Sequence, residues 1–218
     1  MKSFPLKILG MDIQRNVTLL GLNDGRLVIH STAPFSAADI SEIRKIGNPK
    51  WMVDVLLRHT TFAKNGAGAF PGIRYLAPAG FSEDAGVPTD DLLDAPAEWQ
   101  GQIEVLPIHG VPDFSEIVML HVESKSLVVG DLIFNFPRNG GFVKNLFLSL
   151  GSVGGKHDPG MTKPFQNAIK DGAAYLASIR KVLDWDFDRI IVGHGEFIET
   201  GGKQKLAQVF KDAGYPID

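Results

Sequence analysis

Cysteine is missing from all 218 positions of this chain. Its absence excludes disulfide bridges and thiolate metal ligands, although it leaves the redox compartment undetermined. Long apolar runs are missing too. The N-terminal residues contain no run of signal-peptide length, and no segment elsewhere is long enough to span a bilayer. We therefore expect a cytoplasmic protein without a membrane partner.

An excess of positive charge is also absent, because 22 basic side chains stand against 25 acidic ones and the net charge is -3. With a pI near 6.1, the composition gives no sign of a surface that binds nucleic acid. Hydrophobic residues make up 44% of the chain and charged residues 22%, which is typical of a globular protein with a large core. The length predicts a single domain over residues 1–218.

Apolar periodicity and turn residues predict the secondary structure. Asn23-Asp24-Gly25 lies between two strand-like runs and predicts a hairpin, and Ser36 and Gly47 are typical of the start and stop of a helix. A last helix ends at Gly214. A helix over 165–185 is predicted with an apolar stripe of Ile169, Ala173, Leu176, Ile179 and Leu183. Further strands are predicted at 51–59, 73–78, 102–110, 116–124, 125–136 and 189–195.

The order of these elements gives two strand-rich halves, each with flanking helices. This order favours an α+β fold with two sheets packed face to face and helices outside, rather than a doubly wound parallel sheet. The apolar segment 142–150 is interpreted as a part of the core or as a contact between subunits.

Three histidines follow strand-like runs: His59, His109 and His194. His194 stands between two glycines in "RIIVGHGEF", which allows two interpretations. The glycines let the backbone approach something that His194 binds, or they form a tight turn that happens to carry a histidine. Asp131 interrupts another apolar run, "LVVGDLIF", and a carboxylate there has to be hydrogen-bonded, paired or metal-bound.

The runs "VDVLLRH", "LVVGDLIF" and "IIVGHG" resemble the metallo-β-lactamase superfamily, over roughly residues 15–212. In that superfamily a strand ends in a His-x-His-x-Asp-His motif, a further histidine follows, and an aspartate in a Gly-Asp turn and a late histidine complete the ligands of one or two metal ions. The resemblance implies a four-layered αββα sandwich. It also implies that His59, Asp131 and His194 correspond to metal ligands, with Asp131 and His194 as the catalytic residues.

The chain departs from this pattern directly after His59. In "HTTFAK", Thr61 takes the place of the second histidine, Ala63 that of the aspartate and Lys64 that of the last histidine. His109 and Asp113 are alternatives for the remaining ligand. A site that activates water needs about three protein ligands and an open position, so the resemblance implies an eroded site with no cofactor or one weakly held divalent metal, zinc or iron.

The lysine that replaces a ligand suggests a replacement of charge. An ammonium group at Lys64 could compensate Asp131 as a metal ion does in the family, and either Lys64 or His194 is expected to contact Asp131 directly. The alternative interpretation is an exposed loop lysine.

Three hypotheses for the function follow from these observations. The first is a metallo-β-lactamase-fold protein with a degenerate site and little or no classical metallohydrolase activity. The second is a single-metal hydrolase of a small ester, thioester or lactone. The third is a non-catalytic binding or interaction module. A small-molecule ligand and a homo-oligomer are compatible with all three.

Overall fold

The computed structural model describes residues 1–8, 11–136, 152–153 and 159–217. Within it the chain divides into two compact units, unit 1 (Met1–Val105) and unit 2 (Leu106–Asp218). The single domain expected over residues 1–218 stays a prediction. The apolar segment 142–150 lies outside the described residues.

Unit 1 is built on a six-stranded sheet in the order β1-β4-β5-β6-β7-β8. β4 pairs with β1 and β5 in the antiparallel sense, whereas β5, β6, β7 and β8 run parallel. The strands of this sheet are β1 (Lys2–Phe4), β4 (Arg15–Gly21), β5 (Arg26–His30), β6 (Asn48–Val53), β7 (Arg74–Ala77) and β8 (Asp90–Asp91). β2 (Lys7–Ile8) and β3 (Met11–Asp12) form a separate antiparallel pair. The helices of unit 1 are α1 (Ala37–Ile46), α2 (Ala63–Ala69), α3 (Phe81–Ala85) and a 3₁₀ turn at Ala97–Trp99.

Unit 2 contains most of a four-stranded sheet in the order β14-β11-β10-β9. β11 pairs antiparallel with β10 and parallel with β14. The strands are β9 (Ile103–Pro107), β10 (Ile117–His121), β11 (Ser126–Val128), β12 (Ser152–Val153), β13 (Met161–Thr162) and β14 (Arg189–Ile191). The helices are α4 (Lys163–Asn167), α5 (Gly172–Asp184) and α6 (Gly202–Asp212).

The elements predicted from local sequence signals are confirmed. β4 and β5 form the hairpin, with Gly25 at a positive φ in its turn. α1 begins after Ser36 in a capping box, in which the Ser36 hydroxyl accepts from the Asp39 amide and the Asp39 carboxylate accepts from the Ser36 amide. Both signals lie within a few residues of the structure they specify.

The helix predicted over 165–185 is wrong, because it is two helices, α4 and α5. The Lys170 amide donates to the Gly110 carbonyl at 2.8 Å instead of continuing a helix, and Asp171 then caps α5 by accepting from two amides of its first turn. The predicted stripe is confirmed except at Ala173, which is exposed. Ile179 belongs to the core cluster of unit 2, and the residues partly buried against that cluster are Ile169, Leu176 and Leu183. The buried residues of α5 are Tyr175, Ser178, Ile179 and Val182.

Each unit has its own apolar core among the described residues. In unit 1, Ile29 and Met52 of the sheet pack in one cluster with Phe81 of α3. In unit 2, Leu127 and Ile190 of the sheet pack in one cluster with Phe210 of α6. These side chains are 0% exposed, so the strands that lead to the polar residues described below are held firmly.

Candidate functional site

Asp131 lies in a turn, and not inside a strand as the sequence predicted. β11 ends at Val128, and residues 130–132 bend away from the strand direction. The amides of Gly130 and Asp131 donate to the carboxylate of Glu116 at 2.8 and 2.9 Å instead of to a neighbouring strand. The strand expected over 125–136 is therefore shorter, and Asp131 lies beyond its end with a side chain that is only 14% exposed.

His194 lies in the matching turn after β14. β11 and β14 are parallel, with Val128 opposite Ile191, and Asp131 and His194 each lie three residues beyond this pair. The carboxyl ends of parallel strands meet at one edge of a sheet, which brings the two turns together. His194 Nε2 lies 3.4 Å from Asp131 Oδ1, and the histidine is only 3% exposed.

An aromatic ring covers one face of His194. The ring of Phe134 stacks on the imidazole with centroids 5.3 Å apart and an interplanar angle of 6°. Phe134 in turn stacks against Phe136. The imidazole therefore has the carboxylate of Asp131 close to Nε2 and an apolar surface against one face.

The backbone conformation after His194 and a close approach to another segment both require a glycine at position 195. Gly195 has a φ of +90°, and a Cβ built on it would lie 2.2 Å from the carbonyl oxygen of Asn135. The Glu196 amide donates to the same carbonyl at 2.7 Å. The backbone thus approaches the segment that carries Asp131 and Phe134, and of the two interpretations of the Gly-His-Gly run, the tight turn explains Gly195.

Glu116 is a residue of this region that sequence reasoning missed. Its side chain is fully buried directly before β10, although the residue is a carboxylate. Burial, and then the nearby Asp131 carboxylate, raise the pKa of Glu116 to about 8. A sequence signal existed, because the glutamate directly precedes the apolar run Ile117–Leu120 and a carboxylate there needs partners.

His59 belongs to unit 1, and its local setting differs from the prediction. β6 ends at Val53, six residues before His59, so the strand expected over 51–59 was predicted too long. The Asp54 amide still donates to Leu76 of β7, after which the chain turns. His59 is 3% exposed, and its amide donates to the Leu56 carbonyl at 3.3 Å.

A buried polar network, which the sequence did not predict, lies beside these strand ends in unit 1. The carboxylate of Asp54 accepts from the hydroxyls of Tyr75, Thr32 and Ser31 at 2.6, 3.0 and 3.3 Å. The guanidinium of Arg15 lies 3.8 Å from the same carboxylate. Burial raises the pKa of Asp54 to about 6, although Arg15 and the three hydroxyls act in the opposite direction.

The other predicted residues lie at exposed positions. His109 and Asp113 are both exposed before β10, and no metal-ligand group within the described part of the chain includes either of them. Lys64 is exposed in the first turn of α2, and its ammonium group lies close to Gly86 at the end of α3. Ala63, which the resemblance aligned with the family's aspartate, is fully buried and offers only a methyl group.

The described helices include none that is long and apolar enough to cross a membrane. Comparison with known proteins found no matching family model and no matching curated protein. Solved structures, in contrast, match over nearly the whole chain.

Three metallo-β-lactamases illustrate these matches. The enzyme from Erythrobacter litoralis is 17% identical with a TM-score of 0.63, covering 97% of this chain and 90% of the other. The enzyme from Pontibacter korlensis is 13% identical with a TM-score of 0.62, covering 97% and 93%. FIM-1 from Pseudomonas aeruginosa, in its mono-zinc form, is 18% identical with a TM-score of 0.59, covering 98% and 90%.

The predicted fold class, the α+β sandwich of that superfamily, is confirmed by these comparisons. The identities of 13–18% are those of a divergent relative in sequence and show the fold alone. With its two main sheets, its helices and this agreement over nearly its full length, the chain has the metallo-β-lactamase fold.

Proposed function

We propose that this protein is a metallo-β-lactamase-fold protein whose reduced site holds at most one divalent metal ion, zinc or iron, through His59, Asp131 and His194. Classical two-metal hydrolysis is weak or absent in this proposal. The observation that carries it is the contact between Asp131 Oδ1 and His194 Nε2, at 3.4 Å, on the ends of two parallel strands.

The chemistry of the donor set fits one metal ion. Two histidines and one carboxylate form a ligand set that both zinc and non-haem iron accept. His59 enters the proposal as the residue at the first histidine of the family motif, and its buried turn in unit 1 agrees with a fixed ligand. When bound, such a metal supplies a Lewis acid and lowers the pKa of a bound water.

The second metal ion of the family has too few ligands in this chain. In this proposal Thr61, Ala63 and Lys64 take three of the ligand positions, and neither the Ala63 methyl group nor the exposed Lys64 ammonium binds a divalent cation. Because a dinuclear site needs ligands on both ions, these replacements remove the two-metal mechanism while they leave a one-metal set.

The chain's own residues would do three things at this site. Asp131 Oδ1 lies 3.4 Å from His194 Nε2, so the two donor atoms are already close together, and the Phe134 ring fixes the plane of the imidazole and excludes water from one face. The turn at Gly195 keeps His194 next to the segment that carries Asp131. These roles orient the donor atoms before any metal or ligand arrives, which lowers the cost of binding.

A second candidate is a single-metal hydrolase of a small ester, thioester or lactone. The observation that favours it is the solved mono-zinc form of FIM-1, which shows that a protein of this fold can hold one zinc ion. Three protein ligands with an open fourth position are the pattern of catalytic zinc. A small-molecule ligand, a homo-oligomer and a cytoplasmic location stay part of the proposal.

Elemental analysis of protein purified without chelators tests the proposal. We expect less than one equivalent of zinc or iron per chain as purified, because three ligands with an open position hold metal less firmly than a closed site. Cobalt or zinc added back should bind with a stoichiometry of one, and His194→Ala and Asp131→Asn should abolish this binding. His121→Ala is the matched control, since its Nδ1 contacts Ser124 in the β10–β11 turn.

The outcomes separate the candidates. Two results together would favour the hydrolase. Stoichiometric metal would copurify with wild type and be lost in His194→Ala, and wild type would turn over p-nitrophenyl acetate faster than this variant. Failure of wild type to bind added metal, or binding that persists in both His194→Ala and Asp131→Asn, would contradict the proposed site.

A further inference from the structure

Glu116 binds the backbone of the turn that carries Asp131. Its Oε1 accepts from the Gly130 amide at 2.8 Å and its Oε2 from the Asp131 amide at 2.9 Å. The nearby Leu132 amide also lowers the pKa of this carboxylate. One side chain therefore satisfies consecutive backbone donors that would belong to a neighbouring strand if β11 continued.

This arrangement is costly if it serves only packing. Glu116 is 0% exposed, and a carboxylate in such a place loses its hydration, whereas an apolar residue before β10 would not. The neighbouring side chains Ile117 and Val118 are apolar and buried. The polar residue at this one position is explained by the amides it binds and not by its apolar neighbours.

The turn held by Glu116 is tied to the turn that carries His194. The Gly193 amide donates to the Gly130 carbonyl at 3.2 Å, one residue before Asp131 and one residue before His194. The Val129 amide donates to the Ile191 carbonyl at 2.9 Å. The backbone positions of Asp131 and His194 therefore depend on the same small set of hydrogen bonds, which includes those that Glu116 accepts.

We propose that Glu116 is a positioning residue, which holds the turn 130–132 so that Asp131 Oδ1 faces His194 Nε2. Glu116 acts through the backbone and does not touch the metal or the substrate. The effect on metal binding rests on the proposed function, whereas the effect on the turn does not.

The test compares Glu116→Gln with Val118→Ala. The first substitution keeps the shape of the side chain but replaces one acceptor by a donor, so the amide side chain cannot accept from both backbone amides. Val118 is the matched control because it is buried two residues further along, in β10, and carries no polar group. Its truncation lowers stability without affecting the amides of the turn.

The first measurement is a crystal structure of each metal-free protein. We expect Glu116→Gln to displace residues 130–132 and to break the contact between Asp131 and His194, and Val118→Ala to keep it. The second is cobalt affinity, which we expect to fall about 10–100-fold in Glu116→Gln, as for other residues that orient metal ligands, and to change little in Val118→Ala.

An unchanged turn and an unchanged Asp131–His194 distance in Glu116→Gln would overturn the inference, whatever the metal affinity. Equal losses of affinity in both variants would do the same, since they would reflect stability alone. If wild type binds no cobalt, the proposed function fails, and the metal-free structures still decide the role of Glu116. If Glu116→Gln does not fold, Glu116→Asp, which keeps both acceptors on a shorter side chain, replaces it with the same expectations.

Discussion

Each unit of this chain has, among its described residues, a carboxylate that is completely buried, and the two are held in different ways. Asp54 in unit 1 accepts from three hydroxyls and lies 3.8 Å from the guanidinium of Arg15. Glu116 in unit 2 accepts from backbone amides, and the charged group that acts on it is another carboxylate, Asp131. Burial raises both pKa values, to about 6 for Asp54 and to about 8 for Glu116.

The difference shows what each carboxylate does. Asp54 connects side chains from β4 and β7 and from the residues that follow β5, so the contacts described for it all join elements of the unit 1 sheet. Glu116 binds backbone and fixes the shape of one turn, the turn that presents Asp131. The Arg15 cation opposes the rise in the pKa of Asp54, whereas the Asp131 carboxylate adds to the rise in the pKa of Glu116.

The largest expected effect comes from removing the cation of the first network. Arg15→Met leaves the buried Asp54 uncompensated, and breaking a buried pair in this way typically costs about 3–5 kcal/mol. Urea titration measures the free energy of unfolding. The double variant Arg15→Met/Asp54→Asn should cost less than the sum of the two single variants, because the uncompensated charge is then gone.

An exposed pair in the same sheet gives the control for this variant. Arg74 contacts Asp90 from β7 to β8, and both side chains are exposed. Exposed pairs typically contribute about 0.2–1 kcal/mol, so Arg74→Met should change little. If Arg15→Met were no more destabilising than Arg74→Met, Arg15 would not be the partner that compensates Asp54.

The pH dependence of stability sharpens the comparison through His30. Burial, and then Arg15, lower the pKa of His30 from 6.5 to about 3, so between these values the unfolded chain binds more protons and stability falls as the pH falls. Asp54 contributes a pH dependence of stability with the opposite sign. Its folded pKa of about 6 lies above its ordinary value of 3.8, so stability falls as the pH rises through that window.

His30→Leu separates the two contributions. Relative to wild type, the variant should gain stability as the pH falls from 6.5 towards 4, by at most about 1.4 kcal/mol per pH unit, because it has no buried imidazole to protonate. Urea titrations of both proteins at several pH values measure this difference. A difference that does not change with pH would show that His30 has an ordinary pKa in the folded protein.

The smallest effect is expected from Lys64, the cation that the sequence suggested for Asp131. Its side chain is exposed, and its ammonium group lies beside Gly86, so Lys64→Met should change the free energy of unfolding by less than about 0.5 kcal/mol. Urea titration checks this result. A loss comparable to that of Arg15→Met would instead support the replacement of a metal charge by Lys64.

Elements whose signals are local were predicted well from the sequence. The hairpin around Gly25 and the helix capped by Ser36 depend on residues within a few positions of each other. The strands over 51–59 and 125–136 were predicted too long, because apolar character continues where hydrogen bonding to a neighbouring strand stops. At residues 130–132 the amides bind Glu116, and an apolar pattern carries no information about that partner.

The sequence by itself determined which ligand atoms exist. It excluded cysteine, aligned Thr61, Ala63 and Lys64 with ligand positions through the resemblance to the superfamily, and placed Asp131 and His194 after apolar runs. Only the tertiary structure decided that these two residues meet, because the parallel pairing of β11 with β14 joins segments far apart in the chain. It also decided that Glu116 and Phe134 belong beside them, since a buried carboxylate and a stacked ring are recognised by their contacts and not by their spacing.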